Sequence, residues 1–313
     1  MKQRVPPESL DVILSSLSAS TKKQYLPALS KWYNFCNEDA ENFYKPSVSN
    51  VLSFLTLHFN AGASYANLNT FRSAVSLISK NNIREKKLIS RWFKGVFKLK
   101  PCRPKYSNTW DVSIVFNYFK NLGELNELSL TELTLKTVML LALCSAHRAQ
   151  TLASIDISDI VEKDNEIEIY ITKLIKTSGP GRYQPLLVIP KFTDEPKLCA
   201  FSTLKRYLDV TKTKRNHIGN FFISLKPPVK PVCSQTISRW IKLVLCKSGV
   251  DTSIFSAHSA RHAATSAAAN RGVDIDTIRR TAGWTENSRV FQQFYKRHIV
   301  TDPKSFAKSI VKN

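Results

Sequence analysis

"HSARHAATSAAANRGVDIDTIRRTAGWTENSRVFQQFYKRH", residues 258–298, is the stretch on which the reading of this chain turns. His258 and Arg261 stand three apart, a spacing that on a helix sets two side chains on one side, roughly 5–6 Å between Cβ atoms. Alone, such a pair is weak evidence, because a surface histidine beside a surface arginine has the same spacing. The text that follows changes its weight. "AATSAAA" predicts a helix of small residues against which neighbours pack closely. Gly272 then predicts a turn, Asp274 an N-cap, the next residues a short helix, and Gly283 a stop before Trp284. "TENSRVFQQFYKRH" predicts a last helix with Phe291 and Phe294 facing inward and Tyr295 beside that buried face. The turns fold a tyrosine back toward the His258/Arg261 helix, so that His258, Arg261, Trp284 and Tyr295 can converge.

Upstream, "WDVSIVFNYFKNL" and "LTELTLKTVMLLALCSAHRAQTLASI" read as two helices, the second apolar enough to be buried. "EIEIYITKLIKT" alternates Ile167, Ile169 and Ile171 against Glu166, Glu168 and Tyr170 and predicts a strand. "SGPGR" is a turn and "YQPLLVIP" a returning strand; the remainder reads as helical to about residue 297. The basic run "KRYLDVTKTKRNH", residues 205–217, reads equally as a polyanion contact or as a solvated helix end. The fold class is mainly α with a small antiparallel β-sheet.

Residues 1–100 read as a separate helical domain. Tyr25, Leu29, Trp32, Tyr33 and Cys36 share one apolar face behind a Ser20/Thr21 cap. Pro46 and Ser47 start a helix repeating Val51, Leu55 and Phe59; Leu68, Phe71, Val75 and Ile78 mark a third, and "REKKLISRWFKGVFKL" a fourth. "KLKPCRPKYSNT" then breaks the periodicity with two prolines and four basic residues, which places a basic linker at 101–110 and a second domain at 111–313.

The net charge of +22 is spread over both parts: 17 basic against 6 acidic residues in 1–110, and 29 against 18 in 111–313, an excess of 11 in each. Two basic domains point to a long polyanion held between them. No apolar run is long enough to span a bilayer, no segment sets Lys/Arg opposite an apolar face, and the N-terminal charges precede no secretory h-region. The six cysteines are scattered without metal-ligand spacing, as expected of reduced thiols in an intracellular protein, and structural zinc is not expected.

The stretch resembles the C-terminal signature of the tyrosine recombinases of the phage-integrase type: H-x-x-R, then G-H or G-W, then a tyrosine. The wording is similar to recombinases of eukaryotic mobile elements of the Crypton and DIRS kinds. That resemblance implies an upstream arginine near the end of a buried helix, met by Arg148 in "LCSAHRAQTL". It also implies a lysine in the turn between two strands, met by Lys176 with Lys173 as runner-up. Where many members carry an acidic residue three after that arginine, this chain has Thr151.

The implied architecture is an N-terminal core-binding domain and a C-terminal catalytic domain closing as a C-shaped clamp on duplex DNA. The implied reaction is site-specific strand cleavage and rejoining through a 3′-phosphotyrosyl link on Tyr295, with no metal and no nucleotide cofactor. Arg148 and Arg261 would hold the phosphate oxygens, His258 would assist proton transfer from the tyrosine, Lys176 would protonate the leaving 5′-oxygen, and Trp284 would stand where many members have His. Dimers to tetramers on DNA follow from the resemblance, possible assembly through the tail 299–313 included, as does a nuclear location. A catalytically silent DNA-binding protein on the same fold, and a type IB topoisomerase, are the alternatives.

Overall fold

In the computed structural model the chain divides into two compact units, residues 1–103 and 104–313. The structure describes residues 6–37, 40–83, 86–101, 106–284 and 298–299. The basic segment 102–105, Tyr295 with the helix expected around it, and the tail from residue 300 lie outside the described residues.

The first unit contains α1 (Pro7–Ser15), α2 (Ala19–Phe35), α3 (Ala40–Tyr44), α4 (Val48–Asn60), α5 (Tyr65–Ile78) and α6 (Lys87–Leu99). Serine hydroxyls cap three of them: Ser18 accepts from the Thr21 N–H, Ser47 from Asn50 and Ser64 from Asn67. Such a cap is worth about 1 kcal/mol against alanine. The core gathers Trp32, Phe54, Leu55, Leu68, Val75, Ile89 and Phe93. Trp32 meets Phe54 edge-on at 5.0 Å and donates its indole N–H to the Phe43 carbonyl. Sequence periodicity predicts four helices here, whereas the described residues form six. α1 has no buried residue, and α3 is barely more than one turn, so neither leaves an apolar stripe to read. Tyr33, expected on the buried face of α2, is 44% exposed; Ala28 takes its place inside.

The second unit is built around α8 (Leu130–Ser145), of whose 16 residues 12 are buried. It opens with a capping box, the Ser129 hydroxyl accepting from the Glu132 N–H and the Glu132 carboxylate accepting from Ser129 N–H. Against α8 pack α10 (Ala200–Thr211), α11 (Ser234–Lys247) and α12 (Ser259–Asn270), while α7 (Val112–Lys120), α9 (Ala149–Ser154) and α13 (Ile275–Thr281) fill the flanks. The antiparallel sheet has the order β2 (Ile160–Glu162), β3 (Glu166–Tyr170), β4 (Leu186–Pro190). Its register sets Ile167 opposite Ile189 and Ile169 opposite Leu187, and these four side chains are its buried face. β2, three residues long, carries too short an alternation to be read from sequence. A two-residue parallel pair joins β1 (Asn108–Thr109) to β5 (His298–Ile299), and both lie along α12.

One sequence expectation needs correction. The stretch 130–155 is two helices rather than one, because the chain turns at Ala146, whose φ of +51° is left-handed. An L-residue without a polar side chain adopts that conformation at a cost of about 1 kcal/mol, so tertiary contacts must hold it there.

Candidate active site

The turn at Ala146 decides where Arg148 stands. With α8 ended at Ser145, Arg148 becomes the extended N-cap of α9 and its side chain is half-buried at the helix start. Ser145 braces the turn by accepting from the His147 N–H while donating to the Leu141 carbonyl.

α12 carries the second half. His258 is its N-cap and is exposed; Arg261, one turn on, is only 2% exposed. Burying a guanidinium is costly unless its donors are met. Here Nη1 donates to the carbonyls of Ala146 and Ala282, both at 2.7 Å, and the plane lies 4.1 Å from the Trp284 ring. Trp284 follows the turn that the sequence predicts: Gly272 is left-handed, the Asp274 carboxylate accepts from the Thr277 N–H, α13 ends after Thr281, and Gly283 is left-handed at +66°. The indole also packs on Ile278, as do Ala268 and Ala269.

Arg148, Arg261, His258 and His147 line one cavity of about 60 Å³, walled by Ala149, Ala257 and Ala260. The small residues leave room for a ligand atom cluster, and the permanent charges make it an anion pocket. Their effect is legible on His147. Burial first, then the guanidiniums of Arg261 and Arg148, push its pKa down to about 3, against a hydrogen bond to the Thr281 backbone that works the other way. The imidazole is therefore neutral at physiological pH.

The N-terminus of α12 is held from outside its own element. The Trp110 indole donates to the Ser259 hydroxyl at 2.9 Å, and the Tyr106 hydroxyl accepts from the Ser256 N–H at 3.2 Å. Tyr106 also stacks on Phe255 and meets His262 edge-on, and His262 in turn meets His258 at 5.5 Å. His262 is thus buried packing beside His258.

Lys176 is exposed on the loop between β3 and β4. Its main-chain N–H donates to the Gln150 side-chain oxygen at 3.3 Å, which ties the loop to α9 two residues beyond Arg148. The Ser178 hydroxyl closes the loop on itself, accepting from Ile175 N–H and bonding Gln184. Lys173 is engaged elsewhere, its ammonium 2.9 Å from the Asp156 carboxylate. Thr151 is buried in the first turn of α9. Tyr295 lies outside the described residues; the last one before it, Trp284, stacks on Arg261, and the first after it, His298, pairs with Asn108.

Two residues escaped the sequence reading. His147, next to Arg148, passes for a bystander until the fold sets Thr281 against it. In the basic run 205–217, Arg215 is a buried structural residue: its guanidinium donates to Thr211 and to the carbonyls of Asn220 and Phe221. Lys205 pairs with Glu162. Among the described residues, no three His, Cys, Asp or Glu side chains gather where a metal could be held, and no helix is long and apolar enough to cross a membrane.

The sequence model of the phage integrase family matches residues 117–299. No protein of curated function matches the sequence. Among solved structures, the XerH site-specific recombinase bound to difH substrate, in a pre-cleavage complex, is similar over 93% of this chain and 79% of its own, with a TM-score of 0.60 at 12% identity. The Tn1549 transposon integrase in complex with transposon right end DNA is similar over 95% of each chain, with a TM-score of 0.56 at 14% identity. A lambda integrase tetramer bound to a Holliday junction matches 96% of this chain and 80% of its own, with a TM-score of 0.53 at 17% identity. At such identities the likeness is one of fold.

Proposed function

The chain belongs to the phage integrase family, the tyrosine recombinases, and on that premise we propose that it cuts and rejoins duplex DNA at specific sites through a covalent intermediate on Tyr295. The observation that carries this reading is the convergence of Arg148, Arg261 and His258 on one small cationic cavity, with Trp284 stacked on Arg261.

A phosphodiester is anionic and resists nucleophiles, so catalysis consists of holding phosphorus in line and stabilising charge on its non-bridging oxygens. Two guanidiniums beside one cavity suit those oxygens, because each presents a planar fork of donors and stays charged. The Tyr295 oxygen attacks phosphorus and its proton passes to His258. The new P–O bond to tyrosine forms as the bond to the 5′-oxygen breaks, and that oxygen takes a proton from Lys176. Attack of a second 5′-hydroxyl reverses the step. One phosphate ester is exchanged for another, so the balance calls for neither nucleotide nor metal. Lys176 is favoured over Lys173 by the pairing of Lys173 with Asp156 and by the tie from Gln150 to the Lys176 main chain.

The partner is duplex DNA, gripped by both basic units, and the working form is a dimer to tetramer on paired sites, in which the tail 299–313 can join protomers. The first of these is supported by the net charge of +22, and both by similarity to recombinases whose structures contain DNA. The likeness of "RAQTL" to recombinases of the Crypton and DIRS kinds supports a eukaryotic mobile element as the source, and a nuclear location is part of the proposal.

The test uses DNA flanking the source gene as nicked duplexes, so that the cleaved fragment diffuses away. Wild type should form a denaturant-resistant protein–DNA adduct, and Tyr295→Phe should bind the same DNA without one. Tight binding with no adduct on varied flanks would favour the silent DNA-binding protein; relaxation of supercoils without strand exchange would favour the topoisomerase.

A further inference from the structure

We propose that Trp110 and Tyr106 are positioning residues for the turn that carries His258 and Arg261, two side chains that hold it from outside its own helix. The proposal deepens the strand-transfer reading and rests on it. α12 opens without a side-chain cap. Its first turn is made of tight main-chain bonds instead: Ser259 N–H donates to the Ser256 carbonyl at 2.8 Å, Ala260 to Ala257 at 3.2 Å and Arg261 to His258 at 3.3 Å. Bonds that span only three residues have poorer geometry than those of an α-helix. The turn therefore does not fix by itself how His258 stands relative to Arg261.

Trp110 and Tyr106 supply what the turn lacks. The Trp110 indole N–H donates at 2.9 Å to the hydroxyl of Ser259, which stands between His258 and Arg261 in the chain. Both partners are buried, at 3% and 1% exposure, so the bond is sheltered from water. Trp110 is itself fixed by the core and by the start of α7, where the Asp111 carboxylate caps the helix. Tyr106 holds the other end of the turn. Its hydroxyl lies 2.6 Å from the Ser256 hydroxyl and accepts from the Ser256 N–H at 3.2 Å. Its ring stacks on Phe255 and meets His262 edge-on, and His262 meets His258 in turn. Between these two aromatic residues, Asn108 and Thr109 pair with His298 and Ile299, the first of which is three residues beyond Tyr295. One short segment, 106–110, thus holds both the His258–Arg261 turn and the chain that follows the tyrosine.

Displacement of a positioning group by about 1 Å costs on the order of 10²-fold in rate. The experiment takes the full-length protein on nicked duplex in single turnover at saturating protein, with melting temperature and DNA affinity measured in parallel. Trp110→Phe keeps an aromatic ring and removes the N–H; Ser259→Ala removes the acceptor and tests the same bond from the smaller side chain. Each should form adduct roughly 10–10²-fold more slowly at unchanged DNA affinity. The double variant should be no slower than either single one, because both lose the same bond. Tyr106→Phe, which loses only the hydroxyl, should be slowed as well, and a wild-type rate there would overturn that residue's part. If wild type forms adduct and both Trp110→Phe and Ser259→Ala match its saturated rate, whatever their melting temperatures, the bond is merely structural. The proposal then fails while the strand-transfer reading stands. If the two losses multiply in the double variant, the bond does not carry the effect and the proposal fails likewise. Should wild type form no adduct at all, the premise is lost and the proposal with it.

Discussion

Arg261 is 2% exposed, with one guanidinium nitrogen shared between two main-chain carbonyls and its plane against an indole. Lys176 stands in solvent on the β3–β4 loop, where its main-chain N–H meets the Gln150 side chain at 3.3 Å. The proposed reaction sends both cations to the same phosphate, and the contrast follows from what each would do there. An arginine that only stabilises charge works best when fully pre-organised, since any reorganisation in the transition state is lost stabilisation. A lysine that gives up a proton must titrate, and burial beside two arginines would strip its proton before the reaction began. Core placement suits the first, and an exposed loop tied to the Arg148 helix suits the second.

Four substitutions or titrations, with one control, sharpen or break that contrast. The largest effect is expected at Arg261→Lys, which keeps the charge but cannot reach both carbonyls. Adduct formation should fall about 10²–10³-fold, and leaving buried carbonyls unmet should cost about 1–3 kcal/mol, seen together in single-turnover cleavage and thermal melting. Lys176→Ala should slow cleavage about 10²-fold with melting unchanged. A substrate whose leaving 5′-oxygen is replaced by sulfur, which departs without a proton, should restore the rate. Lys173→Ala is the control: it removes one exposed pair, worth less than about 1 kcal/mol, and should leave cleavage near wild type. If the sulfur substrate rescues Lys173→Ala instead, the acid has been assigned to the wrong lysine.

Next in size is an acid titration of stability. The His147 pKa is about 3 in the folded chain against an ordinary 6.5, so below 6.5 the unfolded chain binds the additional proton. Its contribution is complete above pH 6.5 and is lost as pH falls toward 3. The difference in unfolding free energy between pH 7 and pH 5 should therefore be smaller in His147→Asn than in wild type, by about 2 kcal/mol. Equal differences would mean that the ring is not held between the arginines. The smallest effect belongs to Gln150→Ala, which removes the one neutral bond from α9 to the Lys176 main chain. A loss of about 1 kcal/mol amounts to several-fold in cleavage rate, without a change in melting, and no loss would show that the loop is set by its own Ser178 and Gln184 contacts.

Much of this was written locally. The Gly272 turn, the Asp274 cap, the stop at Gly283 and the alternation of residues 166–170 depend on a few neighbouring residues each, and they stand in the structure as the sequence predicts. The family signature is likewise local text, so Arg148, His258 and Arg261 are legible in it, and the fold sets all three around one cavity. What resisted was whatever a distant segment imposes. Nothing in "LCSAHRAQ" marks a helix break, since no glycine or proline is present. Ala146 is left-handed where Arg261 holds its carbonyl from another helix. His147 gains its place only when Thr281 and Gly283 arrive against it, and Arg215 turns from an apparent surface charge into a buried brace once the carbonyls of Asn220 and Phe221 surround it.

The residue types of the site, the helical and strand periods and the basic charge are properties of short windows and of composition, and the sequence alone determines them. The tertiary structure decides which of those residues share a cavity, which carry a proton and which backbone turns are worth their strain. Those are settled by burial and by charges brought together from far along the chain, and desolvation and Coulomb energy exist only once the fold has set the distances.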